Sequence, residues 1–323
     1  MNAQKKPFLI GVCGNSGSGK SCFVQVLLDL LGNENVLVIH GDDYHKWQRG
    51  DPEWQKYTHL NPRANYLALA KEHLLDLKNG NDIYKMEYNH DTGKFVGPYK
   101  LSPKQYIIFE GLHAFYTKEL QKLIDFKIFI DVDKHLNIHF KLHRDMVERG
   151  YTKEQILKSI KARENDAKKY ISPQKKEADL IIHKSPLMKL NEDKRETAIK
   201  YTFIHHKKIN TAPMAKIFNK LFKDKVVCSY KNNHYTVKTE MILKKNELSS
   251  LKNTAKKQFG ITLTDNVFSL AQLIAAYNLS SYGNKIGRLP YPHKGTISKP
   301  KIPPSCKKIG GILRCSIKTA TDR

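Results

Sequence analysis

Residues 8–21 read FLIGVCGNSGSGKS, an apolar run that passes straight into a glycine-rich turn ending at Lys20-Ser21. The run at 8–13 has the length and composition of a buried strand, and KSCFVQVLLDLL at 20–31 spaces its apolar residues as a helix does. Between them Gly14, Asn15, Ser16, Gly17, Ser18, Gly19, Lys20 and Ser21 satisfy G-x-x-x-x-G-K-[ST] in full. The chemistry needs this spacing. Glycines let successive backbone N–H groups curl around a β-phosphate, and the helix that starts at Lys20 aims its positive dipole end at the same anion. The lysine reaches the β- and γ-phosphates, while the Ser21 hydroxyl ligates Mg²⁺. All eight residues are therefore expected to bind ATP, with Lys20 also catalytic and Ser21 also a metal ligand.

The rest of the first half repeats the strand-then-helix pattern. VLVI (36–39) reads as a second strand ending at Gly41-Asp42-Asp43, and Asn61-Pro62 opens a helix expected over 63–78. Residues 83–97 predict a hairpin or flap that turns at Asp91-Thr92-Gly93. YIIF (106–109), KIFIDV (127–132) and LIIH (180–183) read as further strands, with helices expected near 134–148 and 153–169. This alternation predicts an α/β fold of the P-loop type: a doubly wound, mostly parallel sheet with helices on both faces. Residues 1–183 form one P-loop domain on this reading. Residues 184–284 are an extension or small subdomain, in which 234–243 reads as a strand and 266–279 as a helix. The stretch 285–323, with five prolines, ten Lys and Arg and a single acid, is expected to be a basic, mobile tail.

Charge divides the chain in the same place. Of the net +25, residues 184–323 carry the larger part, with 28 Lys and Arg against 8 acids. Such a field attracts nucleic acid, acidic membranes or phosphorylated metabolites alike. No apolar run approaches the roughly 20 residues of a membrane helix, so no membrane partner is expected. Five scattered cysteines form neither C-x-x-C nor a metal pattern, which fits reduced thiols in a cytoplasmic protein.

Two groups stand past strands where such a sheet places its ligand crevice, and a third lies at a charged helix end. Asp42 and Asp43, followed by His45 and Arg49, offer a carboxylate base with cationic groups for an anionic acceptor; the same acids could be solvated turn residues. Glu110, just past its strand, stands where a carboxylate handles Mg²⁺ or its waters, unless it is a surface turn residue. On the helix over 141–149, Lys141, Arg144, Asp145 and Arg149 share roughly one side. They read either as an exposed salt-bridged face or as a cationic lid that damps charge in a transition state.

These stretches together resemble the phosphoribulokinase/uridine kinase family over about residues 8–183. The resemblance is carried by GNSGSGKS (14–21), GDDYH (41–45) with Arg49, LNPRAN (60–65), YNHDTG (88–93), EGLH (110–113), KLHRDMVERGYTKEQI (141–156) and YISPQKKEADLII (170–182). Within the family the motifs are most like those of the phosphoribulokinase branch. The resemblance implies ATP-dependent phosphoryl transfer to a hydroxyl of ribulose 5-phosphate, with uridine or cytidine as the alternative acceptor and Mg²⁺ as cofactor. A P-loop protein acting on nucleic acid is a distant third reading, and a homo-oligomer is compatible with all of them. Asp42 would be the base, and Arg144 would contact the transferring group. His45, Arg49, His90, Lys141 and Arg149 would hold the acceptor, and Glu110 with Asp145 would attend the metal. Relatives of the plant type carry a redox cysteine inside the phosphate loop. Position 18 here is serine, so thiol switching at the loop is not expected.

Overall fold

The structure, a computed structural model, describes residues 6–191, 197, 199–206, 226–231 and 234–239, five short helical pieces between 249 and 279, and strands 306–309 and 312–315. The chain divides into two compact units. The first takes in residues 6–130 and 161–181; the second takes in 131–160, 182–191 and most of the later described residues.

In the first unit β1 (Phe8–Gly14) is buried along its whole length, as its unbroken apolar run requires of a central strand. Helix α1 (Lys20–Leu31) follows the glycine turn and buries Phe23, Val24, Val26, Leu27, Leu30 and Leu31. A fully buried side chain of this kind is worth roughly 1.5–3 kcal/mol. The helix stops at Gly32, whose φ of 82° suits glycine and whose N–H returns to the carbonyl of Leu28. Next come β2 (Val36–His40), the short α2 (Pro52–Lys56) and α3 (Leu67–Lys78). The helix expected from residue 63 starts later than its sequence suggests. Asn61 caps a short turn at Pro62–Ala64, and the buried amide of Asn65 donates to the carbonyls of His59 and Asn61, holding the chain extended before α3.

The hairpin of β3 (Ile83–Asn89) and β4 (Lys94–Leu101) forms as expected and turns at Asp91-Thr92-Gly93. The Asn89 side chain accepts from the backbone N–H groups of Asp91 and Thr92, and Gly93 supplies a φ of +72°. Then follow β5 (Tyr106–Gly111), α4 (Lys118–Leu123), β6 (Phe126–Val132), α5 (Lys134–Arg149), α6 (Lys153–Asp166) and β7 (Leu180–Pro186). Helix α6 gives way at Ala167–Ile171 to a wider π-type turn rather than running on regularly. The sheet of this unit runs β2-β5-β1-β6-β7. Strands β2, β5, β1 and β6 pair parallel, with Val38 opposite Ile108, Ile10 opposite Ile108, and Val12 opposite Ile128. The carboxyl ends of β1, β2 and β5 therefore point the same way, and their following turns share one rim.

In the second unit β8 (Ile199–His206), β9 (Val226–Lys231) and β10 (His234–Thr239) add antiparallel pairs, β10 lying between the other two. Strands β11 (Cys306–Ile309) and β12 (Ile312–Cys315) pair with each other antiparallel. The remainder of the basic tail, and most of the helix expected over 266–279, lie outside the described residues.

Candidate active site

The phosphate loop joins β1 to α1 with little freedom. A Cβ on Gly14 would lie 2.4 Å from the carbonyl oxygen of Ile130, so only glycine lets the loop leave the sheet at this angle. Gly17 and Gly19 hold φ of 77° and 82°, the left-handed region that glycine enters freely. The Lys20 ammonium arches back over the loop and donates to the carbonyls of Gly14 at 3.2 Å and Asn15 at 3.3 Å. Charge is thus held at the mouth of a ring of backbone amides.

Beside it the turns after β2 and β5 touch main chain to main chain. A Cβ on Gly41 would stand 3.0 Å from the Cα of Gly111, and one on Gly111 would stand 3.0 Å from the Cα of Gly41. This contact brings Asp42 and Glu110 to one rim, as their positions after strands predicted. Glu110 Oε1 lies 3.1 Å from Nδ1 of His40, while its Oε2 is buried with no partner among the described residues. Burial opposes a charge on His40, yet the hydrogen bond and charge of Glu110, with Asp43 and Asp42 behind it, raise its pKa above the usual value.

The two acids of the Asp42-Asp43 pair have different surroundings. Both oxygens of Asp43 are committed: Oδ2 to Lys85 Nζ at 2.5 Å and Oδ1 to the backbone N–H of Tyr88 at 2.8 Å. Asp42 keeps 39% of its side-chain surface exposed and faces two imidazoles, His90 Nε2 at 3.4 Å and His45 Nε2 at 3.7 Å. Burial works against its charge, but the hydrogen bond from His90 and the fields of His45, His90 and Lys20 outweigh it. The carboxyl is held well below the usual carboxylate range.

His45 is buried and stacks on His59 with ring centroids 4.5 Å apart; Trp54 meets His59 edge-on at 4.0 Å and stacks on Tyr88 at 6.0 Å. Burial pushes His45 below its ordinary value and His59 down to about 3, the latter helped by the positive fields of His45 and Arg163. A neutral His45 directs a ring dipole, not a full charge, at any ligand. Arg49 does not pair with Asp51, whose carboxylate accepts from the backbone N–H of Gln48. Its guanidinium donates to the carbonyls of His90 at 2.6 Å and Asp91 at 3.4 Å, clasping the hairpin turn. Gly93 makes room for it: a Cβ there would lie 2.4 Å from Cβ of Arg49. The hairpin is thus fastened over Asp42 at Lys85, Tyr88, His90 and Arg49.

Lys141, Arg144 and Asp145 lie on α5, where Lys141 and Asp145 are buried. Arg144 Nε donates to Asp145 Oδ1 at 2.7 Å, so one oxygen of this expected metal ligand is already occupied. Arg149 closes α5, and its side chain lies outside the described residues. Cys13 is a buried thiol against Leu112 O and Gln174 Oε1, each at 3.3 Å, and burial pushes its pKa up to about 12. Such a thiol is a poor nucleophile for disulfide exchange.

Sequence spacing gave no sign of Lys85, His59 or His113, whose placement depends on partners 42 residues away for Lys85 and 54 for His113.

The sequence model of the phosphoribulokinase / uridine kinase family matches residues 9–191. Phosphoribulokinase of Synechocystis is 40% identical over 211 residues, which is 65% of this chain and 63% of that protein. Uridine kinase of Clostridium perfringens is 33% identical over 187 residues, covering 55% of this chain and 88% of that protein. The solved structure of phosphoribulokinase from Rhodobacter spheroides matches with a TM-score of 0.57 at 19% identity, over 85% of this chain and 100% of that one, a likeness of fold. The match spans less than two thirds of the Synechocystis protein.

Proposed function

The chain belongs to the phosphoribulokinase / uridine kinase family, and from that premise we propose that it transfers the γ-phosphoryl group of ATP to a hydroxyl of a small sugar phosphate, ribulose 5-phosphate first among candidates. The observation that carries the reading is the division between the paired acids. Asp43 is sealed by Lys85 and Tyr88, whereas Asp42 stays ionised, partly exposed and on the same rim as the phosphate loop.

On this reading Asp42 takes the proton from the attacking hydroxyl, and its ionised state beside His90 and His45 supports that role. Lys20 is already positioned at the loop mouth, where its charge meets the β- and γ-phosphates. The donor set suits Mg²⁺: the Ser21 hydroxyl opens α1, and the unpartnered Oε2 of Glu110 offers a hard oxygen for the ion or its water. When bound, the ion neutralises phosphate charge and orients the transferring group. Arg49, His45 and His90 of the first unit are the residues proposed for the acceptor side; Lys141, Arg144, Asp145 and Arg149, which belong to the second unit, are further charges that the family motifs alone imply. The reading carries a cytoplasmic place of action with it, where ATP and cysteines outside any disulfide, such as Cys13, coexist.

A uridine or cytidine acceptor is the second reading, favoured by the 88% coverage of the Clostridium perfringens uridine kinase. Against it, the rings of His45, His59, Trp54 and Tyr88 are engaged with one another. A screen of ATP consumption with ribulose 5-phosphate, other pentose phosphates, uridine and cytidine separates the two. The sugar phosphate should be turned over, and the Lys20→Ala variant should abolish that turnover; preference for uridine would overturn the assignment.

A further inference from the structure

Two buried ring nitrogens in the acceptor pocket have no partner among the described residues: Nδ1 of His45 and Nδ1 of His113. His113 lies just past β5, is 4% exposed, and lines the cavity with Gly41, Asp42, His45, Asn65 and Leu112. Its Nε2 stands 3.3 Å from the carbonyl oxygen of His59. A carbonyl can only accept, so Nε2 carries the hydrogen and Nδ1 presents a bare lone pair. Burial pushes the pKa of His113 down to about 4, which keeps the ring neutral near pH 7. The residues that line the cavity therefore include the carboxylate of Asp42 and a histidine, His113, whose buried Nδ1 is a hydrogen-bond acceptor. A buried acceptor left without a donor is destabilising, and a histidine serving only to fill the core would leave that cost standing.

We infer that Nδ1 of His113 accepts a hydrogen bond from a second hydroxyl of the acceptor, distinct from the one Asp42 deprotonates, and so selects polyhydroxylated acceptors. The inference rests on the sugar-phosphate kinase reading and adds a specificity residue to it. A pocket walled by acceptors matches neighbouring hydroxyls, each of which can donate. It matches poorly an acceptor that presents a single hydroxyl.

Two substitutions divide the ring's functions. H113Q keeps a donor near the Nε2 position and removes the acceptor at Nδ1, whereas H113N sets an amide oxygen near Nδ1 and gives up the bond to His59. In full-length protein, H113Q should raise the KM for ribulose 5-phosphate by about 10- to 100-fold while the KM for ATP stays within about twofold. H113N should recover most of that loss. With wild-type protein the 3-deoxy or the 4-deoxy analogue should show a comparable penalty, and H113Q should add little to it. Equal acceptor KM for wild type and H113Q overturns the inference while leaving the kinase reading intact. A parallel rise in both KM values, with a lowered melting temperature, would make His113 structural and overturns it too. Wild-type protein that fails to turn over ribulose 5-phosphate overturns the underlying reading, and the inference with it.

Discussion

The carboxylate of Asp43 meets the ammonium of Lys85 at 2.5 Å, with side-chain exposures of only 6% and 4%. The pair joins the turn after β2 to the first strand of the hairpin, one residue away from the exposed carboxylate of Asp42. Removing one member of a buried pair strands the other charge, which costs about 3–5 kcal/mol. Asp43→Asn and Lys85→Met should each lose stability on that scale in urea unfolding. The double variant Asp43→Leu/Lys85→Met should lose less than the sum of the two. An Asp43→Asn protein of normal stability but no activity would move the base to position 43.

Asp42 should behave in the opposite way. Asp42→Asn removes the proposed base without breaking a buried lysine pair, and burial lowers the pKa of His45 beside it. Its kcat should fall by about 10²–10⁴-fold with the KM for ATP little changed. Stability should stay within about 1 kcal/mol of wild type. Steady-state kinetics alongside urea unfolding of the two aspartate variants reads both outcomes from one pair of proteins.

Arg49 holds the hairpin turn by two carbonyls, and the proposed function gives it a place on the acceptor side. Arg49→Ala should raise the KM for ribulose 5-phosphate by about one to two orders of magnitude, since a charge-assisted contact contributes roughly 1.5–3 kcal/mol. Arg49→Lys should recover only part, because an ammonium cannot span both carbonyls in the plane of a guanidinium. An unchanged acceptor KM in the alanine variant would confine Arg49 to the turn.

The buried histidines give the fold a directional response to acid. His113 titrates at about 4 in the folded protein and His59 at about 3, both below the usual value near 6.5. Between the unfolded and folded values the unfolded chain binds more protons, so stability falls as pH drops through that window. For His113 alone the loss between pH 6.5 and 4 is on the order of 2–3 kcal/mol. Unfolding free energies measured across this range should slope upward with pH, and H113Q should remove about one proton from the slope.

How far the sequence could be read depended on the range of the contacts involved. The phosphate loop was legible because a local pattern of glycines, lysine and serine is itself the structure, and the hairpin because Asn89 and Gly93 shape its turn within five residues. Asp42 and Glu110 could be placed at a strand end by topology alone. Nothing local distinguished Asp42 from Asp43. That distinction comes from Lys85, whose ammonium arrives from another element, and the neutral state of His45 comes from rings stacked on it by the fold. The start of α3 was misjudged for a similar reason, since the buried amide of Asn65 overrides the helical pattern around it.

The contact between Gly41 and Gly111 separates what can vary in this protein from what cannot. Two touching main chains leave no side chain to adjust, so drift in the surrounding core cannot retune the spacing between the turns that carry Asp42 and Glu110. The hairpin is different: it is attached through side chains, each replaceable. A new acceptor preference would therefore be sought by exchanging residues 83–101 together with Arg49 and Asp43, as one graft. Such a chimera changes what is held and, on the proposed function, leaves untouched the distance over which a phosphoryl group would be handed across.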